Sequence, residues 1–495
     1  MKILGLLICF LICWSMPAQG ADRPDVSDAT AGCLDCHETA TPALVADWLK
    51  SRHARTSPAQ ALKVEKTARR VSAAAIPDEL AGKVVGCAEC HAVNSGAHPD
   101  EFDHEGTQVH TVVTPRDCAV CHPVEAREYD ENKMARAYGN LRDNPLFMDL
   151  ARTSAGDFTY ENHTLASRPP DSETEAETCF YCHGTKIEVG EMVSKTTEFG
   201  DLEFPTLKGW PNMGAGRINP DQSRGSCAVC HTRHHFSLKT ARNPYTCSQC
   251  HKGPDVPAYK IYSVSKHGNI HASHKDEWDF EAVPWTAGRD FTAPTCAVCH
   301  ISLLTDPAGN VIAARSHRME DRLPWRLFGL IYSHPQPRDP DTSKILNAAG
   351  LPLPTDLLTG RPASAYLIDD KTREERAGNM RRVCQACHVG TWVESQWKRF
   401  EGSLAKTDAQ VLAATQILAE AWREKAAQGP PQGSPFDEAI EKKWVETWLF
   451  YANSTRLASA MSGADYGVFE QGRFFMSKSM ADMVDWLETW RKTAK

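Results

Sequence analysis

The sequence predicts a mainly helical fold in which long irregular loops link short helices, closed at the C-terminal end by a helical bundle. Three observations predict it. One five-residue pattern, CxxCH, recurs eight times between Cys33 and His388. The text between its copies is rich in Pro, Gly, Asp and Asn, as in RPPDSE, GWPNMGAGRINPDQS and HPQPRDPDTS, which reads as loops and turns. After His388 the character changes, and apolar residues recur at helical spacing to the end of the chain.

Residues 1–21, MKILGLLICFLICWSMPAQGA, carry one Lys, an apolar run and then small residues. This is the pattern of a secretory signal cut near Gly20 or Ala21. Isoleucine precedes both Cys9 and Cys13, which argues against a lipidated cysteine. The mature chain is expected to be exported to the periplasm, with loose membrane association if the segment is retained. No other apolar run is long enough to span a bilayer.

The chain has 18 Cys and 20 His in 495 residues. Sixteen of the cysteines form the eight motifs: Cys33 and Cys36, Cys87 and Cys90, Cys118 and Cys121, Cys179 and Cys182, Cys227 and Cys230, Cys247 and Cys250, Cys296 and Cys299, Cys384 and Cys387. Disulfides in an oxidising compartment are the first reading to exclude. A disulfide framework has no reason to place His after the second Cys eight times. Zinc would require the pairs to combine in fours and would not demand the His. Covalent c-type haem requires this arrangement, since two thiols add to the vinyl groups and the adjacent His ligates iron. Eight haems are therefore expected. The formal charge of −8, before any propionates, makes nucleic acid an unsuitable partner. Without the signal, 474 residues remain, about 59 for each motif. So little protein per haem implies that the haems form much of the apolar interior. The fifth and sixth motifs start 20 residues apart, which places their haems side by side.

The domain plan is a signal at 1–21, a haem-binding region over 22–389 and a C-terminal helical region over 390–495. Within the last, helices are expected over 390–428, 435–461 and 466–492. Ser434-Pro435 reads as a cap followed by Pro in the first helical position. Trp444, Trp448 and Tyr451 share a helix face, as do Met480, Met483, Leu487 and Trp490. These stripes suit core packing or an oligomer interface. Strand signals are sparse, at 109–114 and 187–204.

Each motif supplies one axial ligand: His37, His91, His122, His183, His231, His251, His300 and His388. Twelve other histidines remain, enough to close every haem, so ligand arithmetic does not reveal an open iron. His53 at the end of TPALVADWLKSRHA, His267 in YSVSKHGN and His317 in RSHRMEDRLPW suit second ligands. Met134 in REYDENKMARAYGN stands where comparable stretches have His, and thioether ligation raises a haem potential.

The stretches CLDCHETATPALVADWLKSRHA, HTVVTPRDCAVCHPVEA, ETCFYCHGTKIEV, GWPNMGAGRINPDQSRGSCAVCHTRHHFSLKTARNPYTCSQCHKGPD, YSVSKHGN, FTAPTCAVCH and SHRMEDRLPW together resemble the octahaem cytochromes c of the hydroxylamine oxidoreductase family. The resemblance covers nearly the whole mature chain. It implies that the fourth haem, on Cys179, Cys182 and His183, keeps an open face, and that seven closed haems conduct electrons. The second ligands are then expected to be His53, His104, His110, His163, His234, His267 and His317. Oxidising members of the family are homotrimers in which a neighbour's tyrosine is bonded to the active haem. Tyr466 in MSGADYGVFEQGRFF is the candidate here, yet DYGVFEQGR looks closer to the members without the bond.

The resemblance thus implies an enzyme of small nitrogen compounds (nitrite, hydroxylamine or hydrazine) served by a cytochrome c or quinol-linked partner. Reduction of nitrite and hydroxylamine to ammonia is the favoured direction. Oxidation of hydroxylamine or hydrazine, a non-catalytic electron carrier, and reduction of a sulfur oxyanion such as tetrathionate stay open. Protons for the chemistry call for histidine near neutral pH. CHTRHHFS supplies His234 and His235, one as a haem ligand and the other facing the active haem. Arg233 beside them suits an anion or a propionate. His334 in HPQP is a second candidate proton donor.

Overall fold

The computed structural model describes residues 23–462 and 469–494. The leader and Tyr466 therefore lie outside the described residues. Helix outweighs strand, 46% against 12%, as expected. Among the described residues no helix is long and apolar enough to cross a membrane.

Each motif occupies about one helical turn. The His91 N–H donates to the Cys87 carbonyl at 2.8 Å, and the same bond joins His122 to Cys118, His231 to Cys227, His251 to Cys247 and His388 to Cys384. One turn brings the two cysteines, three apart, onto one face with the histidine beside them. Local caps start several of these turns. Ser27 caps Thr30 ahead of the first motif, Thr114 and Asp117 form a reciprocal box around the third, and Asp369 caps the helix Asp370–Gln385 that bears the eighth.

Among the described residues sheet is confined to small two-stranded pairs and one short three-stranded sheet of Trp285–Thr286, Leu304–Thr305 and Val311–Ala313. Glu101–His104 pairs with Thr107–His110, and the longest pairing joins Glu188–Thr197 to Gly200–Lys208. These lie near the expected strand signals. A third hairpin, Asp157–Glu161 with Thr164–Arg168, was not expected; all ten of its residues are exposed, so it carries no inward apolar face to announce it. The two-residue pair Trp325–Arg326 with His334–Pro335 sets Arg326 directly opposite His334.

The C-terminal region holds the largest apolar core. The helix Gly390–Arg423 buries Val411, Ala414, Leu418 and Ala421 along one stripe. Against them pack Trp444, Trp448, Met476, Met483 and Leu487 from the following helices. Both aromatic and methionine stripes are thus core rather than free surface. Burying a leucine of this kind contributes about 1.5–3 kcal/mol. Trp444 Nε1 donates to Thr415 Oγ1 at 2.9 Å, so the buried indole keeps a partner. The same core takes in Ile331, Tyr332 and Leu353, which places the helices directly against the loop that leads to His334. Ser434 does not cap a helix. Its hydroxyl bonds Asp149 Oδ2 and the Phe436 N–H, and the next helix starts at Ala439, behind a capping box of Glu438 and Glu441. Pro435 and Phe436 stay in a turn.

Candidate active site

None of the sixteen motif cysteines is paired in a disulfide. The single close group of three metal-ligating side chains among the described residues, His98, His110 and Asp117, contains no cysteine, which also disfavours zinc at the motifs. The thiols of different motifs meet instead. Cys33 contacts Cys87, Cys118 contacts Cys227, Cys182 contacts Cys250, and Cys247 contacts Cys296. Cys90 lies near Cys121, Cys230 near Cys247, and Cys299 near Cys384. The motifs therefore run in space as one, two, three, five, six, seven, eight, with the fourth set beside the sixth. The fifth and sixth are neighbours, as their short sequence spacing implied.

Two imidazoles on one metal, at about 2 Å per bond, stand with ring centres about 6 Å apart. His37 and His104 are 6.2 Å apart, His53 and His122 6.4 Å, His91 and His234 6.4 Å, and His267 and His388 6.1 Å. These four pairs fit haem iron between them. His317 is half-buried, lies close enough to act on His231, and has an unpartnered buried Nδ1. No pair of histidine rings at this separation involves His183, His231, His251 or His300 among the described residues, so pairing alone does not single out one motif.

Two expected ligands sit elsewhere. His110 also lies 6.2 Å from His91, but its own carbonyl accepts from His91 Nδ1 at 2.8 Å, so it stands on the side away from Nε2. Its ring stacks on His98 at 3.5 Å and 3°, and both imidazoles turn towards Asp117. Burial raises the Asp117 carboxyl, but hydrogen bonds from His110, Thr114, Asn94 and His98 outweigh it and hold the group down at about 2. One metal ion cannot lie in the planes of two parallel stacked rings, so the cluster is a hydrogen-bonded second layer behind His91. His163 occupies the exposed turn of the hairpin 157–168 with φ 63°, and faces no motif histidine. His235 is half-buried beside His234. Met134 lies in the turn before Ala137, whose carbonyl takes the His183 Nδ1 hydrogen at 2.9 Å. That places its segment on the side of the ring away from Nε2.

The fourth motif is held more closely than its letters suggest. Its turn ends at Gly184, with φ +92°. A Cβ there would stand 2.3 Å from the Arg217 nitrogen. The segment 212–217 wraps the motif: Ala215 N donates to Cys182 O at 3.0 Å and Asn212 Nδ2 to Phe180 O at 3.2 Å. Arg217 is buried and spans Asn212 O and Asn219 Oδ1. Arg233 shares the Trp210 ring with Arg217 and also reaches Met213 Sδ. Burial lowers the His183 pKa, the Ala137 bond opposes it, and the Arg326 charge lowers it further.

His334 is 1% exposed. Its Nδ1 donates to the Pro335 carbonyl at 2.5 Å, and its Nε2 is buried with no partner. Burial first, then Arg326, pushes its pKa down to about 3, so it is neutral at pH 7. Lys133 stands in the same field, paired with Glu320 at 2.8 Å and pushed down to about 8 by burial. Lys133, Glu320 and Arg326 were not singled out in the sequence. A two-residue strand pair leaves no periodic signal by which Arg326 could be matched to His334.

Helical turns bearing paired thiols, with histidines spaced to span iron, define a multihaem c-type cytochrome. The chain belongs to the multihaem cytochromes c. The family described as "Seven times multi-haem cytochrome CxxCH" matches residues 213–319, and "Cytochrome c554 and c-prime" matches 32–113 and 117–203. A solved "Hypothetical multiheme protein" is 37% identical, with a TM-score of 0.89 over 96% of this chain and 98% of that one. The chain is also 26% identical over 421 residues to a "Probable nitrite reductase-hydroxylamine oxidoreductase fusion protein" of Kuenenia stuttgartiensis. That match covers 81% of this chain but spans only 39% of the relative. A Kuenenia stuttgartiensis "reducing HAO-like protein complex" shares the fold, with a TM-score of 0.60 at 19% identity over 94% of this chain and 86% of that one.

Proposed function

We propose that the protein is a periplasmic, octahaem oxidoreductase that reduces nitrite and hydroxylamine to ammonia at a haem held by Cys179, Cys182 and His183. One observation carries this reading. His183 is oriented through Nδ1, and the charges acting on it are Asp255 and Arg326, the latter set directly opposite the buried, unpartnered and neutral His334. The name of the Kuenenia fusion protein supports the substrate class.

When bound, the haem supplies electrons and an exchangeable iron position. The chain's own residues do the rest. The bond from His183 Nδ1 to Ala137 fixes the tautomer and leaves Nε2 for metal. His334 donates through Nδ1 and presents a bare Nε2, so in its resting state it accepts a hydrogen bond rather than giving a proton. This reverses the donor role expected for it. Lys133, protonated at neutral pH and titrating at about 8, is the better proton source. Because Cys182 contacts Cys250, the haems held by the fourth and sixth motifs would lie side by side, so the sixth would be the electron source for the fourth. In this reading seven other haems are closed, four of them by His104, His234, His53 and His267, and His317 serves the fifth. A homotrimer and a cytochrome or quinol-linked donor belong to the same proposal.

Paramagnetic resonance of the holoprotein is expected to show one high-spin iron that responds to nitrite and hydroxylamine. With reduced viologen as donor, both should yield ammonia. Eight low-spin irons inert to both ligands would leave a pure electron carrier. Mass analysis of the haem peptides checks the direction: no peptide should join the Cys179–Cys182 haem to Tyr466, and a joined peptide would favour oxidation.

A further inference from the structure

We infer that Arg326 is the anion-holding side chain of the fourth-haem chamber and makes it selective for a small oxyanion such as nitrite. The inference rests on the reading of His183 as the site of an open haem.

Four observations carry it. Arg326 and His334 are directly opposed in an antiparallel strand pair, so their side chains leave the same face. His334 is buried, and its Nε2 has no protein partner, so that face carries an unmatched buried acceptor beside the Arg326 cation. The Arg326 charge acts on both His183 and His334, so the guanidinium is near both imidazoles. The nearby cation Lys133 is already matched by Glu320 at 2.8 Å, and Arg376 spends its Nη1 on the Glu320 carbonyl at 3.1 Å. Arg326 has no hydrogen-bond or ion-pair partner among the described residues.

A guanidinium held in half-buried surroundings without an acceptor is a poor structural element and a good anion receptor. Its planar fork matches two oxygens of one anion. Lys133 is unsuited to the same role while Glu320 neutralises it. A neutral substrate such as hydroxylamine draws little from the Arg326 charge, so the residue discriminates between substrates by charge rather than size. The competing occupant of that fork is a haem propionate, and the two make different predictions.

The test uses the holoprotein with Arg326→Gln and Arg326→Lys. Nitrite binding to the oxidised protein is followed by the high-spin signal, and carbon monoxide binding to the reduced protein serves as a neutral control. Arg326→Gln should weaken nitrite about tenfold to a hundredfold, the worth of a hydrogen bond to a charged group. Carbon monoxide affinity should stay within about twofold, and Arg326→Lys should be intermediate for nitrite. In turnover, KM for nitrite should rise while KM for hydroxylamine holds. Unchanged nitrite affinity in Arg326→Gln overturns the inference. So does a parallel loss of nitrite and carbon monoxide binding in both variants, which is the signature of a propionate clamp. A wild-type protein that binds neither ligand overturns the open-haem reading itself.

Discussion

At the residue scale, what marks the fourth motif is the glycine after it. TCFYCHG attaches haem by the same letters as the other motifs, but Gly184 adopts φ +92° with the Arg217 backbone against it. Gly184→Ala should cost about 1–3 kcal/mol in backbone strain alone and push segment 212–217 off the motif. Gly32→Ala, beside the first motif, meets nothing within 4 Å and is the control. Haem content per chain and the high-spin signal check this: Gly184→Ala should lose one haem or that signal, and Gly32→Ala neither. An intact signal in Gly184→Ala would show that the wrap is dispensable. The covalent chemistry was legible residue by residue because CxxCH is a local pattern. His104, 53, 234 and 267 meet motif histidines at 6.1–6.4 Å. His110, although 6.2 Å from His91, stands on its Nδ1 side, and His163 meets no motif histidine among the described residues, because a spare histidine carries no sign of its direction: one is consumed by a stack on His98 and a bond network to Asp117, the other by a solvent-facing turn.

At the scale of elements, the C-terminal helices were legible because their apolar stripes repeat at three and four. Their boundaries were less so. Ser434-Pro435 carries a cap signal, but Glu441 reaches back to the N–H groups of Asp437 and Glu438 and starts the helix later. Glu441 is fully buried and also accepts from Trp422 Nε1 at 2.8 Å. Burial raises its pKa to about 7, against an ordinary 4.5. Between those values the folded chain binds the proton that the unfolded chain has released. Stability of this region should therefore fall as pH rises from about 4.5 to 7, by about 3 kcal/mol at most, and level off above. Glu441→Gln should abolish that slope while lowering stability at pH 5, since an amide cannot accept on both sides. Hydrogen exchange of 439–462 at pH 5 and pH 8 measures both effects. A slope that persists in the variant would assign the titration to another group.

Across the whole molecule, the spatial order of the motifs was hidden, because contacts such as Cys118 with Cys227 join segments far apart in sequence. So was the dependence of the chamber on the C-terminal helices. Arg456, fully buried, donates to Asp408 Oδ1 at 2.6 and 3.0 Å, to Asn453 Oδ1 at 3.1 Å and to the Ile331 carbonyl at 2.8 Å. Asp408 in turn accepts from the Ser333 hydroxyl at 2.5 Å and its N–H at 3.3 Å. The pair thus fastens residues 331 and 333, next to His334, to two helices of the bundle. Removing one partner of such a pair strands the other, whereas replacing both leaves neither unmatched. Arg456→Met should cost about 3–5 kcal/mol, and the double variant Arg456→Met with Asp408→Leu should recover part of that loss. Hydrogen exchange across 326–336 reads the consequence at the site. The single variant should lose protection there as well as in the helices, and the double should regain it in the helices while Ser333, still without its acceptor, stays loose. Equal protection of 326–336 in wild type and single variant would mean that the chamber wall stands without the bundle.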